Sequence, residues 1–349
     1  MGVTIRDIAV AVQVSHSTVS RALRNDPRIS ADTRQRVIQA AKAMGYHANA
    51  AARALASRKM RSVALIIPDV VDAFYSRIVA GVDAATHLHQ YSLVLYITHS
   101  DRNREAAAVT AAAERRYDGG IIFQRRLSSK QMAGMAGSGT PMVLLSRHDP
   151  SLPLDSVRID DVDGGFKAAR HLVRAGHRRI GFIGGFPEEQ ETIDRRRGFE
   201  SALAEHQVAL EPHWCWTGDF TEAAGRKAAA AIARRPPGER PTAIVAANDR
   251  MAIGLIQACR ELGLSVPGDL AVVGYDDIDA CRYLSPQLTT VRQPTYEMGN
   301  EAARLLIARL EDTSRAPVEL LLKTELVVRA SCGAAVRNDE GGGAGRAPA

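Results

Sequence analysis

Eleven lysines and arginines crowd the first 61 residues against only Asp7, Asp26 and Asp32, a local net charge of +8 in a chain whose total is +6. A compact basic module on a slightly acidic body is the electrostatic footprint of a polyanion binder, although a basic face also serves simply to solvate a small domain. The spacing inside the module is more informative than its charge. Ser15 is a helix-capping residue, and the run from His16 to Arg24 turns Val19, Ala22 and Leu23 to one side and His16, Ser17, Ser20, Arg21 and Arg24 to the other. An arginine on such a face can give a bidentate pair to guanine O6 and N7, worth about 1–3 kcal/mol of base discrimination. The remaining chemistry-bearing residues form no catalytic pattern. There is no G-x-G-x-x-G opening a helix behind a strand, no P-loop, no H-E-x-x-H and no G-x-S-x-G; G-F-I-G-G at 181–185 lies within an expected strand with the wrong spacing. Cys215, Cys259, Cys281 and Cys332 are scattered, as reduced core thiols would be, with no close pair for zinc or redox work. The expectation is a protein that is not an enzyme and needs no metal or cofactor.

The elements that must position the basic face can be read locally. Thr4 and Asp7 have capping-box spacing ahead of Ile5, Ile8, Ala9 and Val12, which share a helical face. A tight break at Gln13-Val14 leads to the helix from His16, Asn25-Asp26-Pro27 forms a turn, and Ser30 caps a third helix with Val37, Ile38, Ala41 and Met44 inward, ended by Gly45. Two helices joined by a three-to-four-residue turn make the helix-turn-helix plan. The Ala- and Arg-rich stretch at 46–61 has too few large apolar residues for a core and reads as a linker of marginal helical propensity.

From Ser62 the pattern changes. Short, continuously apolar runs (SVALIIP, YSLVLYI, GGIIF, PMVLLS, RIGFIGG, TAIVAAN, LAVVGY) alternate with helical stretches at 74–89, 104–116, 162–175, 195–206, 222–234, 250–262 and 297–311. Strands apolar on both faces and interleaved with helices predict parallel sheet covered on each side, and about 270 residues of it predict two α/β lobes. The Gly/Ala-rich tail beyond Cys332 is expected to be disordered. No stretch approaches the roughly 18 apolar residues of a membrane span, and MGVTIRDIAV has no apolar signal core, so a cytoplasmic protein is expected.

The segment from Thr4 to Tyr46 closely resembles the DNA-binding domain of the LacI/GalR family of transcription regulators. V-S-x-x-T-V-S-R-x-L runs from Val14 to Leu23, and T-R-x-x-V from Thr33 to Val37. The resemblance continues to about residue 330 through R-x-D-G-G-I-I around Gly119, R-A-G-H-R-R-I-G-F-I-G (174–184), P-T-A-I-V-A-A-N-D-R-M-A (241–252), V-V-G-Y-D-D (272–277) and L-T-T-V-R-Q-P (288–294). It implies an all-α helix-turn-helix headpiece at 1–48, a hinge helix or linker at 49–61, and a periplasmic-binding-protein-like α/β core at 62–332 made of two doubly wound parallel-sheet lobes. The N-lobe is expected at 62–160 and 291–319, the C-lobe at 161–290 and 320–332, and the disordered tail at 333–349. The implied function is a repressor that binds a palindromic operator as a homodimer, with a sugar or related metabolite held between the lobes; an activator or dual regulator is the alternative. A transport binding protein would match the lobes but not the basic headpiece.

Residue roles follow from the same resemblance. His16, Ser17 and Arg21 are the base-reading candidates, Arg21 alternatively touching phosphate; Thr4, Thr18 and Arg34 are phosphate-positioning candidates. Asn49, Arg53 and Leu55 belong to the hinge, where Leu55 either wedges into the minor groove or merely packs. Two departures stand out: Ala48 replaces the usual proline ahead of the hinge, and Gln13 replaces a small residue at a turn that calls for positive φ. The effector cleft is expected to comprise Phe74, Tyr75, Ser146, Arg195, Phe220, Asn248 and Asp276, with duller alternatives of a surface charge for Arg195, a turn for Asn248 and a helix cap for Asp276. Ser146 stands where many relatives carry an acid, and Glu189 and Glu191 add carboxylates at the cleft mouth, which favours a neutral, hydroxyl-rich ligand.

Overall fold

The computed structural model describes residues 3–46, 60–114, 116–123, 127, 129–137, 139–147 and 150–333. They divide into two units, 1–61 and 62–349. The linker positions Asn49, Arg53 and Leu55, with Ala48, and the tail from 334 onward lie outside the described residues.

The first unit is three helices, α1 (Ile5–Val12), α2 (His16–Leu23) and α3 (Ala31–Ala43). Each begins where a short polar side chain satisfies a free amide. Thr4 and Asp7 form the reciprocal capping box of α1, and the Ser15 and Ser30 hydroxyls accept from the Thr18 and Thr33 amides. Gln13 ends α1 in left-handed geometry (φ 56°), the positive φ that the turn calls for. Ile8, Ala9, Val12, Val19, Ala22, Val37 and Ala41 form the core. Ile38, expected inward, is 47% exposed, because Val37 and Ala41 already fill the stripe of α3 that faces its neighbours.

In the second unit, β1 (Ser62–Ile67), β2 (Ser92–Ile97), β3 (Gly119–Phe123), β4 (Met142–Leu145), β5 (Asp155–Ile159) and β11 (Glu319–Leu322) build one sheet, ordered β11-β5-β4-β3-β1-β2 and parallel throughout. The other sheet is β12-β10-β9-β8-β6-β7, made of β6 (Ile180–Gly184), β7 (Cys215–Thr217), β8 (Ala243–Ala246), β9 (Ala271–Asp276), β10 (Thr289–Arg292) and β12 (Glu325–Val327). It is parallel except for β12, which runs antiparallel to β10 because the chain returns from the other lobe directly onto that edge. Central strands β3, β4, β6 and β8 are buried at every position, which is why they read as unbroken apolar runs.

The N-lobe sheet is flanked by α4 (Ala73–Leu88), α5 (Arg102–Ala113), α6 (Ser129–Ala136) and α11 (Thr295–Glu311); the C-lobe sheet by α7 (Asp161–Arg174), α8 (Gln190–Glu205), α9 (Glu222–Ala233) and α10 (Asp249–Glu261). The chain passes between lobes after Asp160, at 293–294 and at 323–324. The last two passages come slightly later than expected, since Val291 and Arg292 complete a C-lobe strand and 320–322 complete an N-lobe strand. Helix α8 starts ahead of the expected 195, over a charged run with no apolar period to announce it.

Three helix pairs pack through facing glycines: Gly81 with Gly299 between α4 and α11, Gly165 with Gly198 between α7 and α8, and Gly225 with Gly254 between α9 and α10. A methyl at Gly198 would run into the Val162 carbonyl oxygen, and one at Gly165 into that of Arg195. Gly198→Ala is therefore expected to force α7 and α8 apart and destabilise the core by about 1–3 kcal/mol. A urea midpoint equal to that of the parent would show that the pair can yield without cost.

Candidate functional site

On the headpiece, His16, Ser17 and Arg21 are all exposed on α2, one turn of which separates Ser17 from Arg21. The hydroxyls nearby are partly engaged. Ser15 Oγ lies 2.7 Å from Ser17 Oγ and 2.8 Å from Thr18 Oγ1, and the Thr4 hydroxyl donates to Asp7 at 2.8 Å. Arg24 folds back on its own helix, donating to the Ser20 carbonyl and hydroxyl at 3.1 and 3.0 Å. Arg34 is half-buried, and its Nη2 donates to the carbonyls of Asp26 and Ile29 at 3.1 and 3.2 Å. It staples the α2–α3 turn, while Arg21 is exposed on the face of α2.

In the second unit, a cleft with a free volume of about 40 Å³ opens between the lobes. Asp72, Phe74 and Tyr75 at the start of α4 and Phe123 at the end of β3 form its N-lobe wall. Glu191 and Arg195 on α8, Phe220 after β7, Asn248 after β8, Asp276 at the end of β9 and Gln293 after β10 form the opposite wall. Every strand-borne contributor sits at a carboxyl end, where open α/β sheets bind ligands.

The N-lobe wall is aromatic. Phe74, Tyr75 and Phe123 meet edge to face at centroid distances of 5.0, 5.9 and 5.1 Å, an arrangement their quadrupoles favour. Across from it, Phe220 takes φ 63° and lays its ring against Gly185, where any Cβ would collide with it. Asn248 is both a cap and a strut. Its Oδ1 accepts from the Met251 amide at 2.9 Å and its Nδ2 donates to the Phe220 carbonyl at 3.0 Å, fixing the aromatic loop.

Arg195 is 95% buried and thus no surface charge. Its Nε donates to Asp161 Oδ1 at 2.7 Å, its Nη1 to the Ala247 carbonyl at 2.6 Å, and its guanidinium lies 3.9 Å above the Tyr275 ring. Burial pushes the Asp161 carboxyl up to about 6 despite the pull of Arg195, and against its own burial Arg195 is held above its ordinary range by Asp161. Asp276 takes φ 124° and accepts from Gln293 Nε2 at 2.6 Å. Burial pushes its carboxyl well above the usual range, with Asp249 adding to the effect and Arg195 opposing it. Among the described lining residues Arg195 is the one cation, and Asp161 neutralises it.

Six of the seven expected cleft residues are thus brought together. Ser146 is not: it ends β4 with φ 69°, its amide bonded to the Val157 carbonyl at 2.8 Å, and it does not line the cleft. Glu191 lines it, whereas Glu189 is buried at the foot of α8. Sequence reasoning missed Asp72, Phe123 and Gln293. Asp72 could have been found as a helix cap two residues before Phe74, and Gln293 as part of V-R-Q-P; Phe123 carried no local signal beyond ending an apolar run. Among the described residues no cluster of His, Cys, Asp and Glu could hold a metal ion, and no helix is long and apolar enough to cross a membrane.

Comparison with known proteins joins these two sites. Residues 4–49 match the family model for bacterial regulatory proteins of the lacI family, and residues 169–332 that for a periplasmic binding protein-like domain. The chain is 33% identical over 329 residues to the HTH-type transcriptional repressor CytR of Escherichia coli K12, covering 94% of this chain and 96% of that protein. It is 32% identical to catabolite control protein A of Priestia megaterium, over 88% and 92% of the two chains. Among solved structures, it is similar to the lac repressor dimer bound to operator and the anti-inducer ONPF, with a TM-score of 0.85 at 27% identity over 95% of this chain and 99% of that one. It is also similar to the transcriptional regulator CelR in complex with cellobiose, with a TM-score of 0.72 at 31% identity over 94% and 99%.

Proposed function

The chain belongs to the lacI family of bacterial DNA-binding transcription regulators, and from that premise we propose that it is a repressor controlled by a neutral, hydroxyl-rich small molecule held between its lobes. The observation that carries the effector reading is the cleft itself. Aromatic side chains offer apolar faces from both lobes, amide and carboxylate groups offer hydrogen bonds, and the one lining cation is already neutralised by Asp161. A phosphate or carboxylate ligand would find no free positive partner among the described lining residues, whereas sugar hydroxyls would find acceptors. The CelR complex with cellobiose, a similar protein holding a sugar, supports the same class of ligand. Thermal-shift screening of sugars against phosphorylated sugars tests it: stabilisation by the charged set alone would overturn the reading.

The DNA-bound species is a homodimer on a palindromic operator, because paired half-sites call for a two-fold protein, and the similar lac repressor is a dimer on its operator. His16, Ser17 and Arg21 read bases, Thr4 and Thr18 position the backbone, and Asn49, Arg53 and Leu55 form the hinge. Arg34 acts chiefly through the turn it staples. The protein works in the cytoplasm and catalyses no reaction; its relatives are regulators.

Arg21→Ala is expected to weaken specific binding by about 1–3 kcal/mol while scarcely changing affinity for random DNA, since base contacts specify and phosphate contacts do not. Fluorescence anisotropy with operator and with scrambled duplex, over a range of salt, separates the two. An equal fall on both duplexes would make Arg21 a phosphate contact.

A further inference from the structure

Asp72 and Arg250 meet across the mouth of the cleft. Asp72 precedes α4 on the N-lobe, where its Oδ1 caps the helix by accepting from the Phe74 amide at 2.9 Å. Its other oxygen lies 3.4 Å from Nη1 of Arg250, the second residue of α10 on the C-lobe. Arg250 is not free to wander: Glu222, at the start of α9, takes its Nε and Nη2 in a two-pronged pair at 2.8 and 2.7 Å. Both partners are thus aimed by their own lobes before they meet, and their side chains are only 14% and 32% exposed. A second cross-lobe pair, Arg77 with Asp279 at 3.8 Å, is at least half exposed on both sides and open to screening.

We propose that Arg250 is a positioning residue of the cleft, which, braced by Glu222, bridges to Asp72 and biases the lobes toward closure. The charges facing it explain why a bridge is needed. Asp72 belongs to one wall and Glu191 to the other, and among the described lining residues the one cation, Arg195, is already neutralised. Without Arg250, like charges would oppose closure. With it, Asp72 is neutralised only when the lobes are together, so the same carboxylate that borders the ligand space reports the lobe angle. The consequence for ligand affinity rests on the effector reading above; the bridge itself does not. If the closed state is the one that binds, apparent affinity scales with its population.

The test uses the full-length, ligand-free protein with fluorophores placed through non-natural amino acids at Asn103 and Glu239, exposed positions on the N- and C-lobe. Single-molecule energy transfer then gives the open and closed populations. Arg250→Gln is expected to shift the ratio toward open by about two- to fivefold, the range for a partly exposed ion pair. Asp72→Asn should do the same, and the double variant no more than either, because one bond is being removed. Arg250→Lys should fall between. Added salt should open the parent more than Arg250→Gln, in which the exposed Arg77–Asp279 pair is still there to be screened, a difference that loss of packing would not produce. Unchanged populations in Arg250→Gln, additive effects in the double variant, or an undiminished salt response would each overturn the assignment. Because the readout needs no ligand, failure of the effector reading would show separately, as a parent protein whose populations respond to no sugar.

Discussion

Truncating Asp161 to alanine is expected to destabilise the core by about 3–5 kcal/mol, the size seen when one partner of a buried ion pair is removed and the other is left uncompensated. Asp161 and Arg195 are only 7% and 6% exposed at their side chains, and the other groups around Arg195 are the Ala247 carbonyl and the Tyr275 ring, neither of which carries a charge to replace the carboxylate. Against a typical total stability of about 5–15 kcal/mol, such a loss takes a large share of what holds the fold. Chemical denaturation at neutral pH measures it, and a midpoint shift no larger than that of an exposed substitution would refute the account. Replacing both partners, as in Asp161→Leu with Arg195→Met, should recover much of the loss while removing the one cation among the described lining residues. The pH dependence has a definite sign as well. With the carboxyl titrating near 6 in the fold against 3.8 when exposed, ionising it in place costs part of the fold's stability as pH rises from 3.8 through about 6, and what remains at neutral pH, and what truncation removes, is the compensation of the Arg195 charge. The stability of the parent relative to Asp161→Asn should therefore decline over that interval.

Asp276→Ala should abolish the response to effector and leave a folded protein. The side chain stands at the end of β9, inside the cleft, and holds Gln293 at 2.6 Å, on the segment where the chain passes from the C-lobe to the N-lobe. A ligand bonded to Asp276 on one wall and packed on Phe74 on the other must bind differently as the lobes rotate, which is the differential contact that coupling requires. Reciprocity then demands that operator change effector affinity by the factor by which effector changes operator affinity, usually about 1–3 kcal/mol. For an inducer, the variant should bind operator whether or not effector is present; for a corepressor, it should bind operator weakly throughout. Calorimetric titration with the identified effector decides the matter. Parental affinity in Asp276→Ala would place the ligand elsewhere.

How much of this was written locally differs sharply between the two units. The headpiece was legible almost residue by residue. The Thr4–Asp7 capping box, the Ser15 and Ser30 caps, the positive φ at Gln13 and the outward face of α2 all arise from interactions within four residues, which spacing alone encodes. Ile38 departs from the expected inward face because Val37 and Ala41 fill the stripe of α3 that meets the other helices, and the contacts of Arg34 reach further, to carbonyls five and eight positions back.

In the core, the strand and helix succession follows from hydrophobic period, so the sequence alone determined two parallel-sheet lobes. Tertiary structure decided everything that depends on which distant groups meet. Asp161 and Arg195 are 34 positions apart and come together because Gly165 and Gly198 let α7 and α8 approach closely. Ser146 follows β4 with its amide bonded to the Val157 carbonyl and does not line the cleft. Asp72 and Arg250, 178 positions apart, meet only because the chain passes between the lobes three times and leaves their helix starts opposed. A charge-assisted contact depends on distance in space, and where the chain crosses between lobes, spacing along the sequence holds no record of it.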